Sequence, residues 1–212
     1  VIGAGPAGLS CAYYLATKGY KPTVFEKNEK PGGMMRYGIP SYKLEKDIID
    51  AEIDIIKELG VEIKCGVEVG RDITLGELRK QGFKAFYIAV GCQGGRMAGV
   101  CGEDAAGLDI AVNFLHDAIE HNDRKIDGDA VVIGGGNVAV DCARTAHRFG
   151  ASKVSMVCLE SRETMPASKE EIDETLEEKI EIVNGFGPKE VLKDENGKVK
   201  AVVFKKCIRT ID

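Results

Sequence analysis

The chain has 212 residues, 44% of them hydrophobic and 30% charged, with a formal net charge of -5 at pH 7. That balance is ordinary for a globular protein and excludes disordered and fibrous classes. The negative charge supplies no basic field toward nucleic acid or an anionic membrane, and no apolar run approaches the roughly 20 residues that cross a bilayer. Neither partner is expected, and the protein is placed in the cytoplasm.

The 26 glycines exceed the usual share of about 7%, which points to repeated tight turns. Seven cysteines, Cys11, Cys65, Cys92, Cys101, Cys142, Cys158 and Cys207, form no C-x-x-C pair and no Cys/His cluster at metal-ligand spacing. They read as reduced thiols, and no metal site is expected.

Val1-Ile2 enters Gly3-Ala4-Gly5-Pro6-Ala7-Gly8, a helix follows from Leu9 to Lys18, and Pro22 to Glu26 is a second strand. This is one βαβ opening. A Pro- and Gly-rich loop spans Lys30 to Tyr42. The next helix carries Ile48, Ile49, Ile53, Ile56 and Leu59 at helical spacing, read as core. Val61 to Val69 suggests short strands, and Thr74-x-x-Glu77 has capping-box spacing before a helix to Gln81. Ala85 to Val90 is a continuous apolar run, read as a strand buried on both faces of a parallel sheet. A helix is expected over Asp109 to Glu120, and the polar stretch beginning at His121 is the expected linker.

The second opening repeats the first about 130 residues later. Ala130 to Ile133 is a strand, Gly134-Gly135-Gly136 a turn, Asn137 to Phe149 a helix, and Val154 to Leu159 the following strand. Ser168 caps another helix, and Glu181 to Cys207 alternates into strands around an Asp194-Glu195-Asn196-Gly197 turn. The architecture expected is α/β, with two Rossmann-like dinucleotide-binding domains on parallel sheets. The domains fall at 1–120 and 128–212, joined by a linker at 121–127. Val1-Ile2 is short for a strand feeding such a turn, and the chain stops on Arg209 to Asp212 straight after a strand. It therefore reads as truncated at both ends.

Gly3-x-Gly5-x-x-Gly8 sits where a pyrophosphate site needs it, after a strand and opening a helix, with Pro6 and Ala7 in the first turn. The three glycines allow a tight turn, close approach of a phosphate and close helix–strand packing, while the helix N-terminus attracts the anion. Glu26, at the end of the second strand and followed by Lys27, is placed to accept from a ribose diol. Gly134-x-Gly136-x-x-Ala139 repeats the pattern, with Asn137 and Val138 opening its helix. Two such units imply two dinucleotides, and an enzyme holding both would pass hydride from a nicotinamide to a flavin. His116, His121 and His147 have no partners arranged for catalysis, and no catalytic general acid or base is expected.

The stretches VIGAGPAGLSCAYYLA, VFEK, PGGMMRYGIPSYKL, YIAVGCQGGR, VVIGGGNVAVDCARTAHRFGA and RETMPAS resemble the small (beta) subunit of bacterial glutamate synthase and its relatives in the pyridine nucleotide-disulfide oxidoreductase superfamily. The resemblance implies FAD along Gly3 to Gly8 with Glu26 on the adenosine ribose. It further implies that Gly33, Met34 and Arg36, with Ile39 in the same segment, approach the flavin side, and that Ala89-Val90-Gly91 is a second FAD-contacting strand end. NAD(P)H falls to the second motif. Iron–sulfur clusters belong to a cysteine-rich domain outside this chain, and the electrons would leave for a large glutamate synthase subunit or another acceptor protein. Cys92 and Cys101 are too far apart in sequence for the superfamily's redox-active pair.

One departure bears on the nicotinamide. NADPH-dependent members place two arginines after the second strand of this domain, where Leu159 and Glu160 stand here; Arg162, two residues on, could swing back to pair with a phosphate. A carboxylate at Glu160 accepts from a 2′-hydroxyl and repels a 2′-phosphate, so NADH is expected to be favoured. Alternatives are a related subunit feeding ferredoxin, a hydrogenase or pyrimidine reduction, and a catalytically silent nucleotide-binding module.

Overall fold

In the computed structural model, which describes residues 1–208, Val1-Ile2 runs into a turn at Gly3. The φ of +100° there is one that glycine alone adopts freely. The turn feeds helix α1 (Pro6–Thr17), strand β1 (Thr23–Phe25), the one-turn helix α2 (Met34–Tyr37), helix α3 (Lys46–Glu58), strand β2 (Glu62–Lys64) and helix α4 (Leu75–Lys80). Two compact units divide between Gln93 and Gly94. The second holds α5 (Ala111–Glu120), β3 (Ala130–Ile133), α6 (Asn137–Arg148), β4 (Val154–Cys158), α7 (Lys169–Glu177), β5 (Glu181–Asn184), β6 (Phe186–Lys193) and β7 (Val199–Lys206). Arg209 to Asp212 lie outside the described residues.

The first unit is a parallel layer of short segments. β1 pairs with β2, and Ile2 bridges both Phe25 and Ile88 in parallel. Ala4, Leu9, Ala12, Val24, Ile49, Ile53 and Val61 close the core between this layer and helices α1 and α3. On α3 the buried arc is Ile49 and Ile53, with Ile56 packed against it. Ile48 is 53% exposed and Leu59 44%. At 3.6 residues per turn those two lie about 100° and 80° around the helix from Ile49, so they leave the face that the sequence pattern gave them. The capping box on α4 is present, with Glu77 N–H donating to Thr74 Oγ1 and Thr74 N–H to Glu77 Oε2.

The Ala85–Val90 run departs from the expectation of a doubly buried strand. It makes a bridge at Ile88 alone, and Ile88 and Val90 are more than half exposed. The pairing seen is Ile2 N–H donating to Tyr87 O and Ala89 N–H to Ile2 O, both at 2.8 Å.

In the second unit β3, β4 and β5 form a parallel sheet in that order, and β6 and β7 an antiparallel hairpin. Val140, Ala143 and Ala146 on α6 pack with Met156, Ile172 and Ile180, and the small alanines let the helix lie close to the strands. Helix α5, read as the end of the first domain, belongs here: Phe114 packs on this core and Cys142 Sγ donates to Ala111 O. The polar stretch from His121 is thus a surface connector inside the unit, fixed by Ile126 N–H to Phe149 O and Ser152 N–H to Gly128 O. Its composition reflects exposure, and the division between units falls earlier than the expected linker at 121–127.

Helices α6 and α7 are joined by charge. Arg144, 7% exposed, donates to Glu174 and, at 2.8 Å, to Glu178, which also receives Arg148. Burial alone would raise the Glu178 carboxyl, but the hydrogen bonds and charges of Arg148 and Arg144 hold it below the usual carboxylate value. A carboxyl depressed in the fold stabilises above its unfolded value of about 4.3, and that contribution is lost as pH falls through the folded value. Glu178→Gln is expected to cost about 1 kcal/mol at pH 7, with the gap closing below pH about 4. Urea unfolding followed by circular dichroism checks this, and an equal loss at both pH values refutes it.

Candidate dinucleotide sites

The first site is built where two glycine loops meet. A Cβ at Gly8 would lie 1.9 Å from Gly3 O, and one at Gly3 would lie 2.3 Å from Ala89 O. Backbone therefore touches backbone at both points. Gly5 ends the turn in extended conformation, and no side chain caps α1. The second loop arrives at Gly33, whose φ of 55° and ψ of -136° suit glycine, and a Cβ there would stand 2.7 Å from Gly5 Cα. Gly32 N–H donates to Ala4 O at 2.8 Å, stitching the loops together.

Glu26, 5% exposed, accepts from Ala4 N–H at 2.7 Å and from Asn28 N–H at 2.9 Å. Its carboxylate holds the turn, and each oxygen retains lone-pair capacity for a further donor. Arg36 is buried under the loop, where its Nε donates to Pro31 O and its guanidinium pairs with Asp50 on α3. Lys46 Nζ donates to Met35 O at 3.1 Å and Ile39 O at 2.5 Å. Burial, then the charge of Arg36, lowers the Lys46 ammonium pKa. Two cations thus clamp the carbonyls of a loop that the sequence pattern left irregular.

A cleft of about 310 Å³ opens over this junction. Gly3, Gly5, Pro6, Ala7, Glu26, Lys27, Gly33, Met34, Ala89, Val90 and Gly91 line it. Gly8, Arg36 and Ile39 stand outside its wall: Gly8 packs helix on strand, and the other two belong to the clamp. Val67, Glu68, Val69 and Gln93 join the wall without having been singled out. Only the strand-like alternation around Val67 hinted at them.

The second site repeats the plan. Gly136 caps α6 without a side-chain hydrogen bond, and Gly134 turns at φ +145°. Here the third position holds a methyl group, with Ala139 Cβ 3.3 Å from where a Cβ on Gly134 would stand. The Met165-Pro166 segment folds back on the turn: Ala167 N–H donates to Gly135 O at 3.0 Å, and Ser168 N–H donates to Asn137 Oδ1 at 2.9 Å. Asn137 is therefore engaged in holding that segment.

The second cleft measures about 380 Å³, and Gly134 and Glu160 line it. Gly136, Asn137, Val138, Ala139 and Arg162 do not. Glu160 leans over the turn, since its Oε2 would be 2.9 Å from a Cβ on Gly135. Asn184 Nδ2 and Gly185 N–H both donate to Glu160 O, at 3.2 and 3.1 Å. Ala98 and the base of the β6–β7 hairpin, Phe186, Gly187, Pro188 and Lys205, complete the wall. No spacing pattern tied that hairpin to the turn.

Chemically, the first cleft sets the positive end of α1 beside the strand-end carboxylate Glu26, a pairing suited to phosphate and ribose hydroxyls, while the second is lined by the Gly134-Gly135 turn and Glu160, with the first turn of α6 outside its wall. The thiols nearby are poor nucleophiles. Cys158, on the second wall, has its pKa raised by burial and by Glu160, and burial and Asp141 push Cys142 up to about 12. None of the seven cysteines forms a disulfide. Among the described residues no His/Cys/Asp/Glu group could hold a metal ion, and no helix is long and apolar enough to cross a membrane.

Comparison with known proteins accords with this plan. The family model for pyridine nucleotide-disulphide oxidoreductases matches residues 1–212. The chain is 42% identical to the beta subunit of NADP(+)-dependent formate dehydrogenase from Moorella thermoacetica, across 99% of this chain and 29% of that protein. It is 39% identical to the PreT subunit of NAD-dependent dihydropyrimidine dehydrogenase from Escherichia coli, across 89% and 45%. Against the glutamate synthase [NADPH] small chain of Escherichia coli it is 35% identical, across 99% and 46%. The chain thus spans less than half the length of these relatives. Its fold is that of Mycobacterium tuberculosis FprA in complex with NADPH, with a TM-score of 0.81 at 19% identity over 97% of this chain and 62% of that one. The chain belongs to the pyridine nucleotide-disulphide oxidoreductase family, which binds FAD and NAD(P)H.

Proposed function

We propose that this chain is the two-nucleotide portion of a flavoprotein subunit that takes hydride from NAD(P)H. The observation that carries the reading is the duplication. Two glycine turns, each opening a helix without a side-chain cap over a cleft, are each paired with a strand-end carboxylate, Glu26 in one unit and Glu160 in the other. The first cleft is assigned to FAD and the second to the nicotinamide dinucleotide. Bound FAD supplies the ability to accept two electrons as hydride and release them one at a time.

The residues then act as holders. Gly5, Pro6 and Ala7 present backbone to the flavin pyrophosphate, Glu26 accepts from the adenosine ribose, and the clamped loop at Gly33 and Met34 walls the flavin side. Electrons leave for iron–sulfur clusters carried elsewhere in the protein and then for a partner, as the resemblance to the glutamate synthase small chain suggests. The relatives above are subunits named for different acceptors, and the acceptor assigned here is a large glutamate synthase subunit or another electron-accepting protein. NADH is favoured, because Glu160 at the second cleft can accept from a 2′-hydroxyl and repels a phosphate.

Anaerobic addition of NADH to the full-length protein is expected to bleach its flavin band. A flavin that stays oxidised would identify a silent nucleotide-binding module instead.

Gly5 and Gly8 separate binding from folding. Gly5 has an ordinary φ of -78°, and a Cβ on it would meet Gly33 Cα at 3.7 Å. Gly5→Val is therefore expected to leave a folded protein that has lost FAD affinity by more than about tenfold, or about 1.4 kcal/mol. Gly8→Ala, which drives a methyl group onto Gly3 O, is expected to lower folded yield. Flavin occupancy by absorbance, alongside thermal melting, distinguishes them, and unchanged occupancy in Gly5→Val refutes the assignment.

Glu160→Arg is expected to shift the ratio of kcat/KM for NADPH over NADH upward by about tenfold. Steady-state flavin reduction with each cofactor measures it. A parent protein several-fold more efficient with NADPH refutes the preference.

A further inference from the structure

Among the residues lining the second cleft, two carry charge, Glu160 and Lys205. Arg162, the cation nearest to Glu160 in sequence, stands outside the wall. Lys205 comes from β7, some 45 residues further along the chain. The fold places it there through the base of the hairpin, and four observations fix the path. Gly185 N–H donates to Glu160 O at 3.1 Å, tying the start of β6 to the end of β4. Cys207 N–H donates to Gly185 O at 2.7 Å, closing β7 onto the same point. Gly187 packs directly on Leu159, for a Cβ there would stand 2.6 Å from Leu159 Cδ2. Gly187 and Lys205 are register partners across the hairpin. The lysine is solvent-exposed, and no ion pair engages its ammonium among the described residues.

We propose that Lys205 receives the 2′-phosphate of NADPH, so that the cleft admits the phosphorylated dinucleotide despite Glu160. This rests on the reading of the second cleft as the nicotinamide dinucleotide site. The physical argument is one of charge balance. A cleft holding a carboxylate alone disfavours a group bearing close to two negative charges, and an ammonium on the same wall offsets that repulsion. A flexible lysine suits the task, because its stem can swing toward a phosphate when one is present and into water when a hydroxyl takes its place. Glu160 then serves the 2′-hydroxyl of NADH, and Lys205 serves the phosphate of NADPH. Cofactor choice becomes graded, set by two residues from different elements.

The test uses the full-length, FAD-loaded protein and two redox-inert probes, ADP-ribose and 2′-phospho-ADP-ribose, titrated by calorimetry. Lys205→Gln is expected to weaken 2′-phospho-ADP-ribose about tenfold and leave ADP-ribose within about twofold, one good ion pair being worth roughly that factor. Lys205→Arg is expected to restore the phosphorylated probe, and kcat/KM for NADPH should follow it while that for NADH stays level. Equal weakening of both probes, or no change in either, overturns the role of Lys205 while leaving the site assignment standing. If neither probe binds the unaltered protein, the assignment of the second cleft fails and Lys205 falls with it.

Discussion

Everything in the first unit depends on one approach of backbone to backbone, Gly8 against Gly3. With a Cβ position 1.9 Å from the Gly3 carbonyl oxygen, α1 can start where it does only if residue 8 has no side chain. That closeness aims the helix N-terminus along the sheet edge and into the cleft. The same carbonyl turn leaves Gly3 pressed on Ala89, so the Ala85–Val90 segment is held by the turn more than by a ladder. Glu26 completes the arrangement from the far side, since its two backbone hydrogen bonds reach the turn at Ala4 and the exit of β1 at Asn28. A carboxylate this deeply buried is tolerable because both oxygens are satisfied. Its structural work and its proposed ribose contact use different lone pairs.

The second unit reaches the same end with a looser turn. Ala139 occupies the position of Gly8, and its methyl group fits against Gly134 where the first turn would have no room. Glu160 leans over the turn at Gly135, its Oε2 2.9 Å from where a Cβ there would stand. The Met165-Pro166 segment then shuts one side by bonding to Gly135 O and Asn137 Oδ1. This gives a physical role to part of the RETMPAS stretch.

Legibility in the sequence followed the range of the interactions. Turns, caps and helices set by neighbours were readable: the capping box at Thr74, the Ser168 cap, both glycine turns and the Asp194–Gly197 hairpin all stand as read. Failures came where a partner distant in sequence decides. Ala85–Val90 was read as buried because its composition is apolar, but burial depends on what lies across it. Helix α5 was given to the first domain because a polar stretch follows it, yet its apolar face packs on α6. Arg36, which the resemblance implies approaches the flavin side, pairs with Asp50 in α3, a partner that no local pattern reveals.

The two sites differ in what closes them, and that difference bears on how each selects its ligand. The first cleft is walled by loops that are themselves pinned: Arg36 and Lys46 hold three loop carbonyls, those of Pro31, Met35 and Ile39, and a Cβ on Gly33 would stand 2.7 Å from Gly5 Cα. A pinned wall makes little adjustment and suits a cofactor that stays bound. The second cleft is walled by a hairpin whose base is stitched to Glu160, with Phe186 and Pro188 half-buried, Gly187 buried and Lys205 exposed. One long exposed side chain on a fixed backbone suits a substrate that must enter, be discriminated by its ribose and leave at every turnover. Rigidity at one glycine turn and adaptable charge at the other thus follow from the same motif, set apart by what packs on each turn.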